Sequence, residues 1–430
     1  MPGRVVIVGT GIAGAAAAQT LRKDGFDGEV VMIGADRRPP YRRTMLTKDL
    51  LSGRVDADRI PLRSADAWQT MPVEIRTGTW AADLDPVGRS ITTEDVSIST
   101  EDGSITTEDV GTGARATLDY DALLLATGGR ARRLDPPGGP AWPGVLHVRD
   151  AEDALALRSR IGEAVGAPGP RGRLVIVGAG LIGCEVAAVA AAAGVAVTLL
   201  EAGPRPLAGT VPEAVSEMLA DLHAGHGVTI ETGVQVTGVV GETDSDTSGK
   251  GVSVVQAADG RKWTAGVVVG AVGMIPATEL AQSAGLDVAD GILVDEYCAT
   301  SAPGVYAAGD AARFPDPFTG GTCRIEHWNH GQAHGAAAAR AILGNGRPYR
   351  EVPWCWTHQY GVNLQIAGTP QAADEWRTDG DLGAREFLSV GFAAGQEVAA
   401  VAAGRPKELR AARARIGEHL TWSGAPAAAR

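Results

Sequence analysis

The sequence predicts an α/β protein built around two parallel βαβ domains. Three observations carry this. RVVIVGTGIAGAAAAQTL, residues 4–21, reads as a buried apolar strand, a glycine turn and an alanine-rich helix. RLVIVGAGLIGCEVAAVAAAAGVAVTLLE, residues 173–201, repeats the plan about 170 residues later, an internal duplication of one module. The chain has 430 residues, room for about three domains, and 58 glycines suit tight strand-to-helix turns and close helix–sheet packing.

In chain order, the first module presents Gly9, Gly11 and Gly14 between strand and helix. Gly9 makes the turn, Gly11 lets the backbone approach a pyrophosphate, and Gly14 allows close helix packing. The phosphates would sit on the helix N-terminus, where free N–H groups and the dipole favour anions. EVVMIG is the next strand, and Asp36 follows it, placed to accept from a ribose hydroxyl. PYRRTMLTKDLLSG, residues 40–53, comes next and contains no cysteine. SITTEDV then occurs twice, at 90–96 and 104–110, and predicts a duplicated hairpin that lengthens a peripheral sheet. LLLATGG, residues 123–129, is a strand ending in a tight Thr-Gly turn, and GAPGPRGR, residues 166–173, reads as a linker.

The second module repeats the fingerprint at Gly178, Gly180 and Gly183. Glu201 ends its second strand, and an acid there favours the free ribose 2′-hydroxyl of NADH over the 2′-phosphate of NADPH. Arg205 pulls the other way. GETDSDTSGKG, residues 241–251, is a polar hairpin tip, and GVYAAGDAA, residues 304–312, is a strand ending in Gly309-Asp310.

Composition excludes other classes. The formal charge is −12 with no long basic stripe, which argues against nucleic-acid binding. Four cysteines stand no closer than 25 positions apart, so they form neither a zinc knuckle, a CxxC redox pair nor a secreted disulfide framework. MPGRVVIVG runs straight into a strand without room for a signal peptide. The longest mostly apolar run, residues 186–200, is broken by Gly194 and is too short for a membrane span. The expectation is a cytoplasmic protein that binds no membrane.

With these segments in this order, the chain resembles the two-dinucleotide-binding flavoprotein reductases. Three stretches narrow the resemblance to the ferredoxin/rubredoxin/putidaredoxin reductase branch: PYRRTMLTKDLLSG, RIEHWNHGQAHGAAAARAILG and VPWCWTHQYGVNLQIAG. Pro40, Tyr41, Arg43, Leu46 and Lys48 match that branch's Pro-Tyr-x-Arg-Pro-Pro-Leu-Ser-Lys, while Thr44, Met45 and Thr47 depart from it. The similarity runs from residue 4 to about 416.

The resemblance implies two Rossmann-like dinucleotide-binding domains plus a C-terminal α+β domain. FAD would be held by 1–128 and 266–345, NAD(P)H by 129–265, and a reductase domain would cover 346–430. For FAD it implies Gly9, Gly11, Ile12, Ala13, Gly14, Asp36, Arg43, Lys48, Ala126, Thr127, Gly128, Asp310, Glu326, His327 and Trp328. For NADH, with NADPH second, it implies Gly178, Gly180, Leu181, Ile182, Gly183, Glu201, Arg205 and Gly273. Lys48 would approach the flavin N5 edge, paired with Glu185, and Trp328 would wall the ring. The branch has no disulfide in the 40–53 helix, so electrons would leave the flavin singly, to a ferredoxin or rubredoxin-type partner. The reductase would act as monomer or homodimer.

Three rival readings stand beside this: an NADH oxidase or small-molecule reductase, a non-enzymatic NADH-sensing flavoprotein, and a disulfide reductase, which the missing cysteine pair opposes. Arg37, Arg38, Arg42 and Arg43, or Arg405, Lys407, Arg410, Arg413 and Arg415, are candidate basic docking patches against the overall acidity. His330 and His334 stand where the branch has Asn and Gln, four apart on one helical face; with His327 they imitate a metal site, but the expectation is no metal. His358 replaces the branch's Asp.

Overall fold

The computed structural model describes residues 2–95, 115–135, 142, 144–242, 251–316 and 320–418. Strands Arg4–Val8, Glu29–Gly34 and Glu74–Thr77 lie in parallel, with Ala122–Leu125 and then Val305–Ala307 on the other side of Arg4–Val8. Side-chain alternation buries both faces. Val5, Ile7, Val30, Met32 and Leu124 pack under helices Ile12–Lys23 and Trp328–Ile342, while Val6, Val8, Val31, Ile33 and Leu125 pack under an antiparallel sheet carrying Leu84 and Ile91. Two buried faces explain why these strands read as unbroken apolar runs.

The second sheet follows the same plan. Its order is Thr229–Glu231, Ala196–Leu200, Arg173–Val177, Val267–Gly270 and Val145–Leu146, all parallel. Leu174 and Ile176 face helices Ala151–Ala164 and Leu181–Ala192; Val175, Val177 and Val268 face an antiparallel sheet. Val267–Gly270 lies beyond the boundary expected at 265 yet is hydrogen-bonded to Arg173–Val177. We therefore place the return to the first domain after it, where Met274–Pro276 pairs antiparallel with Gly129–Ala131 to make a two-stranded bridge.

The C-terminal domain is a five-stranded antiparallel sheet that begins with Trp354–Gln359 and ends under helix Pro406–Glu418. One face takes Leu409, Ala412 and Ile416 from that helix. The other packs Leu364, Ile366, Phe387 and Val401 on Val215, Leu219 and Leu222 of helix Glu213–Gly225, so the third domain leans on the second.

The first SITTEDV copy is a strand, Ser90–Asp95, between Thr79–Asp85 and Arg115–Asp119; the second copy lies outside the described residues. The tip expected at 241–251 joins paired strands Val236–Glu242 and Val252–Ala257, and most of the tip is likewise outside them. Residues 40–53 do not form an ordinary helix. Arg43–Met45 is a 3₁₀ turn that widens into a π-helical turn, Leu46–Leu50, carrying Lys48. Such turns are rare and concentrate at functional sites.

Candidate active site

The two glycine turns have matching environments. A Cβ on Gly9 would strike the Ala126 carbonyl and one on Gly14 the Gly9 carbonyl, whereas one on Gly11 would meet nothing. Gly178, Gly183 and Gly180 repeat these three situations against Ala271 and Gly178. Gly9 and Gly178 also adopt φ of +119° and +104°, which side chains disfavour. The outer glycines therefore serve packing, and the middle one leaves open space at a helix start. Neither helix has a side-chain cap or an acid in its first turn, so the first N–H groups are free to meet an anion. This cradle fits a dinucleotide pyrophosphate.

Ile12 and Ala13 of the first helix and Leu181 and Ile182 of the second line one shared cleft. Ala126, Gly128, Asp310, Glu326, His327 and Trp328 close it from the first domain, and Trp356 from the third. Two further glycines let the elements meet: a Cβ on Gly335 would collide with the Ala13 carbonyl, and one on Gly309 with the Ala13 methyl at 2.8 Å.

One wall carries a buried ion pair. Lys48 Nζ lies 2.8 Å from the Glu185 carboxylate, with the side chains 13% and 3% exposed. Glu185 also accepts from Thr47 Oγ1, from Thr357 Oγ1 at 2.7 Å and from the His358 N–H at 3.3 Å. Four donors from two other domains thus converge on one carboxylate, which offsets its desolvation. His358 takes part through its backbone, not its imidazole.

The opposite wall is built around Asp310, whose carboxylate pairs with Arg149 at 3.2 Å. Arg324 donates to the Asp310 carbonyl at 3.3 Å and to Glu326 at 2.6 Å. Burial raises the Glu326 pKa despite Arg324, and burial lowers that of His327. Helix Trp328–Ile342 starts here without a cap or a first-turn acid, so its positive dipole end faces the cleft.

Other expected residues lie outside the lining of this cleft. Asp36 is not on the cleft lining: it accepts from Tyr41 O–H at 2.8 Å and the Arg38 N–H at 2.9 Å, with Arg43 3.5 Å away. It shapes the loop that brings Arg43 to the cleft. Thr127 donates to the Ala277 carbonyl at 2.6 Å, fastening the bridge between domains. Glu201 accepts from the Ala179 and Gly203 N–H groups, each at 2.7 Å, at the mouth of the second turn. Arg205 pairs with Glu213 at 3.8 Å, and Gly273 stands in open space at φ +98°.

His330 and His334 are core residues. His330 Nδ1 lies 2.9 Å from Tyr349 O–H, and the Gly309 N–H donates to His334 Nδ1 at 3.3 Å. Among the described residues no three His, Cys, Asp or Glu side chains group to hold a metal. The second basic segment has spent much of its charge. Arg405 pairs with Asp379 and Glu408, Arg413 with Glu351, and Arg415 with Glu397.

Residues 3–335 match the pyridine nucleotide-disulphide oxidoreductase family, and residues 354–429 match the reductase C-terminal domain. The chain belongs to the pyridine nucleotide-disulphide oxidoreductase family. A relative in it is the ferredoxin–NAD(+) reductase subunit of the benzene 1,2-dioxygenase system of Pseudomonas putida, 35% identical across 95% of this chain and 91% of that protein. Putidaredoxin reductase of Pseudomonas putida is 33% identical across 97% and 92%. A crystal structure of the covalent putidaredoxin reductase–putidaredoxin complex superposes with a TM-score of 0.84 at 32% identity, covering 97% of this chain and 93% of that one. Despite the family's name, this member has no cysteine pair to carry electrons. All four cysteines are free, and burial pushes every thiol up, Cys323 and Cys355 to about 12.

Eight lining residues of this oxidoreductase were not among the predicted site residues, Thr47, Arg149, Cys355 and Trp356 among them. Arg149 is remote in sequence from every fingerprint. Trp356 did leave a signal, because Trp354 and Trp356 alternate along one strand and so share a face.

Proposed function

We propose that this chain is an NADH-dependent FAD reductase that passes electrons singly to a ferredoxin-type iron–sulfur protein serving an oxygenase or cytochrome P450. The observation that carries the reading is the cleft wall: a buried Lys48–Glu185 pair lines it, and the 40–53 segment that supplies Lys48 contains no cysteine. Relatives named as ferredoxin–NAD(+) reductases support the choice of acceptor. The four free thiols suit a reducing cytoplasm, and no described helix is long and apolar enough to cross a membrane.

Gly11, Ile12, Ala13, Arg43, Ala126, Gly128, Arg149 and Asp310 hold FAD, and Gly180, Leu181, Ile182 and Glu201 hold NADH. The chemistry FAD supplies when bound is acceptance of a hydride from NADH and delivery of two single electrons, with release of one proton. The protein contributes position and charge. Open backbone at Gly11 and Gly180 leaves room for a pyrophosphate at each helix start, and Ile12 and Ile182 of the two helices line one cleft. Lys48 presents a cation, held by Glu185, to the negative charge that reduction brings into the cleft. The start of helix Trp328–Ile342 adds a second positive pole, and Trp328 and Trp356 exclude water with apolar surface.

The experiment is anaerobic spectroscopy of the purified protein. A flavin band that NADH bleaches faster than NADPH does, by a margin that narrows in Glu201→Ala, is the expected result. A protein that neither carries nor acquires FAD contradicts the reading.

A further inference from the structure

A line of buried side chains leads away from Glu185 to the contact between the second and third domains. Thr357 Oγ1 donates to Glu185 Oε1 at 2.7 Å, Gln359 Nε2 donates to Thr357 Oγ1 at 3.1 Å, His223 Nε2 meets Gln359 Oε1 at 2.9 Å, and Tyr360 O–H meets His223 Nδ1 at 3.1 Å. His223 and Thr357 are fully buried, Gln359 is 1% exposed and Glu185 3%. Water therefore does not substitute for a missing partner.

A carboxylate only accepts, so Thr357 donates to Glu185, its oxygen takes the Gln359 NH₂, and the amide oxygen is left facing His223. An amide oxygen only accepts, so His223 Nε2 carries the proton. Burial lowers the His223 pKa, so the ring is neutral and Nδ1 accepts from Tyr360. The amide of Gln359 is thereby held with its NH₂ toward Thr357. Were the amide reversed, its oxygen would face Thr357 and draw the hydroxyl proton away. Every donor in the line points toward Glu185, and the amide stops it from conducting protons.

We propose that His223 is a positioning residue for flavin reduction, which through Gln359 and Thr357 holds a donor on Glu185 and so sets the charge that the Lys48–Glu185 pair presents to the cleft. The proposal rests on the assignment of that cleft to FAD. It also gives the contact between helix Glu213–Gly225 and strand Trp354–Gln359 a chemical readout: separating those elements frees the amide to turn.

The test uses Thr357→Val, His223→Leu and the double variant, each checked for bound FAD. The midpoint potential of the flavin is read by titration with dithionite, and its reduction by NADH by stopped flow. Loss of one charge-assisted donor is expected to lower the potential and slow reduction about tenfold in either single variant. The double variant is expected to be no worse than Thr357→Val, because both changes remove the same donor. His223→Gln, whose side-chain NH₂ still donates, is expected to recover most of the rate. An unchanged potential in His223→Leu, or effects that multiply in the double variant, overturns the proposal. If His223→Leu does not fold, Gln359→Glu replaces it. That carboxylate accepts from both His223 and Thr357 and is expected to lower the potential; no change there is equally fatal. Dithionite needs no nicotinamide site, so wild-type protein that NADH fails to reduce counts against the proposed function and leaves the potentials to decide this link.

Discussion

Lys48 and Glu185 show how one residue pair acquires a role from its surroundings. A cation such as that of Lys48, facing a negative charge about 4 Å away at an effective dielectric of 20, gains on the order of 4 kcal/mol before desolvation costs. If about a quarter of that is expressed in the transition state, Lys48→Ala slows flavin reduction by NADH about fivefold with FAD still bound, as stopped flow would report. An unchanged rate would make the pair a structural tie between domains. The buried histidines act on stability instead. Burial lowers the pKa of His330 and takes that of His334 from 6.5 to about 3. Their unfolded forms therefore bind protons that the native forms refuse. The stability they leave intact above pH 6.5 is lost as pH falls, by about 1.4 kcal/mol per pH unit for each ring. Thermal unfolding between pH 7 and 5 measures this; a melting temperature that does not fall, or that falls no less in a His330→Asn/His334→Gln variant, contradicts it.

At the scale of elements, helices Ile12–Lys23 and Trp328–Ile342 cross at glycine and alanine, with Gly335 against the Ala13 carbonyl. Gly335→Val forces that crossing apart and costs about 1–3 kcal/mol, with weaker retention of FAD because Ile12, Ala13 and Trp328 all line the cleft. Denaturant unfolding together with flavin fluorescence of the filtrate checks both halves of this prediction. Elements were legible in the sequence where one local pattern dictates one structure: the apolar strands, the glycine turns and the helices they open. The 40–53 segment was not, because its widened turn is fixed by contacts made from afar. Thr47 and Lys48 reach across to Glu185, and the Tyr41 hydroxyl oxygen accepts from the Ala151 N–H. The surroundings of Asp36 were hidden for the same reason. Its position after a strand was readable, but its engagement by Tyr41 and Arg43 depends on the loop's return.

At the scale of the whole molecule, the second domain is inserted in the first, and the third leans on the second. The duplicated modules made two of the three domains readable from sequence. The shared cleft was not derivable from local pattern, since Arg149, Trp356 and Thr47 come from three separated stretches. Glu185 is where this organisation meets the chemistry: it sits on the second module's helix, takes donors from the first domain's Thr47 and Lys48, and takes two more from the third domain's Thr357 and His358. The central claim is that these domains cooperate to move electrons from NADH to a one-electron protein acceptor. It is tested most directly by NADH-driven reduction of cytochrome c, with and without a ferredoxin from an oxygenase system. The account predicts slow reduction by the reductase alone and a rise of at least about tenfold on adding a cognate ferredoxin, saturating with its concentration. Equal rates with and without each candidate ferredoxin, alongside rapid consumption of oxygen or quinone, would contradict it.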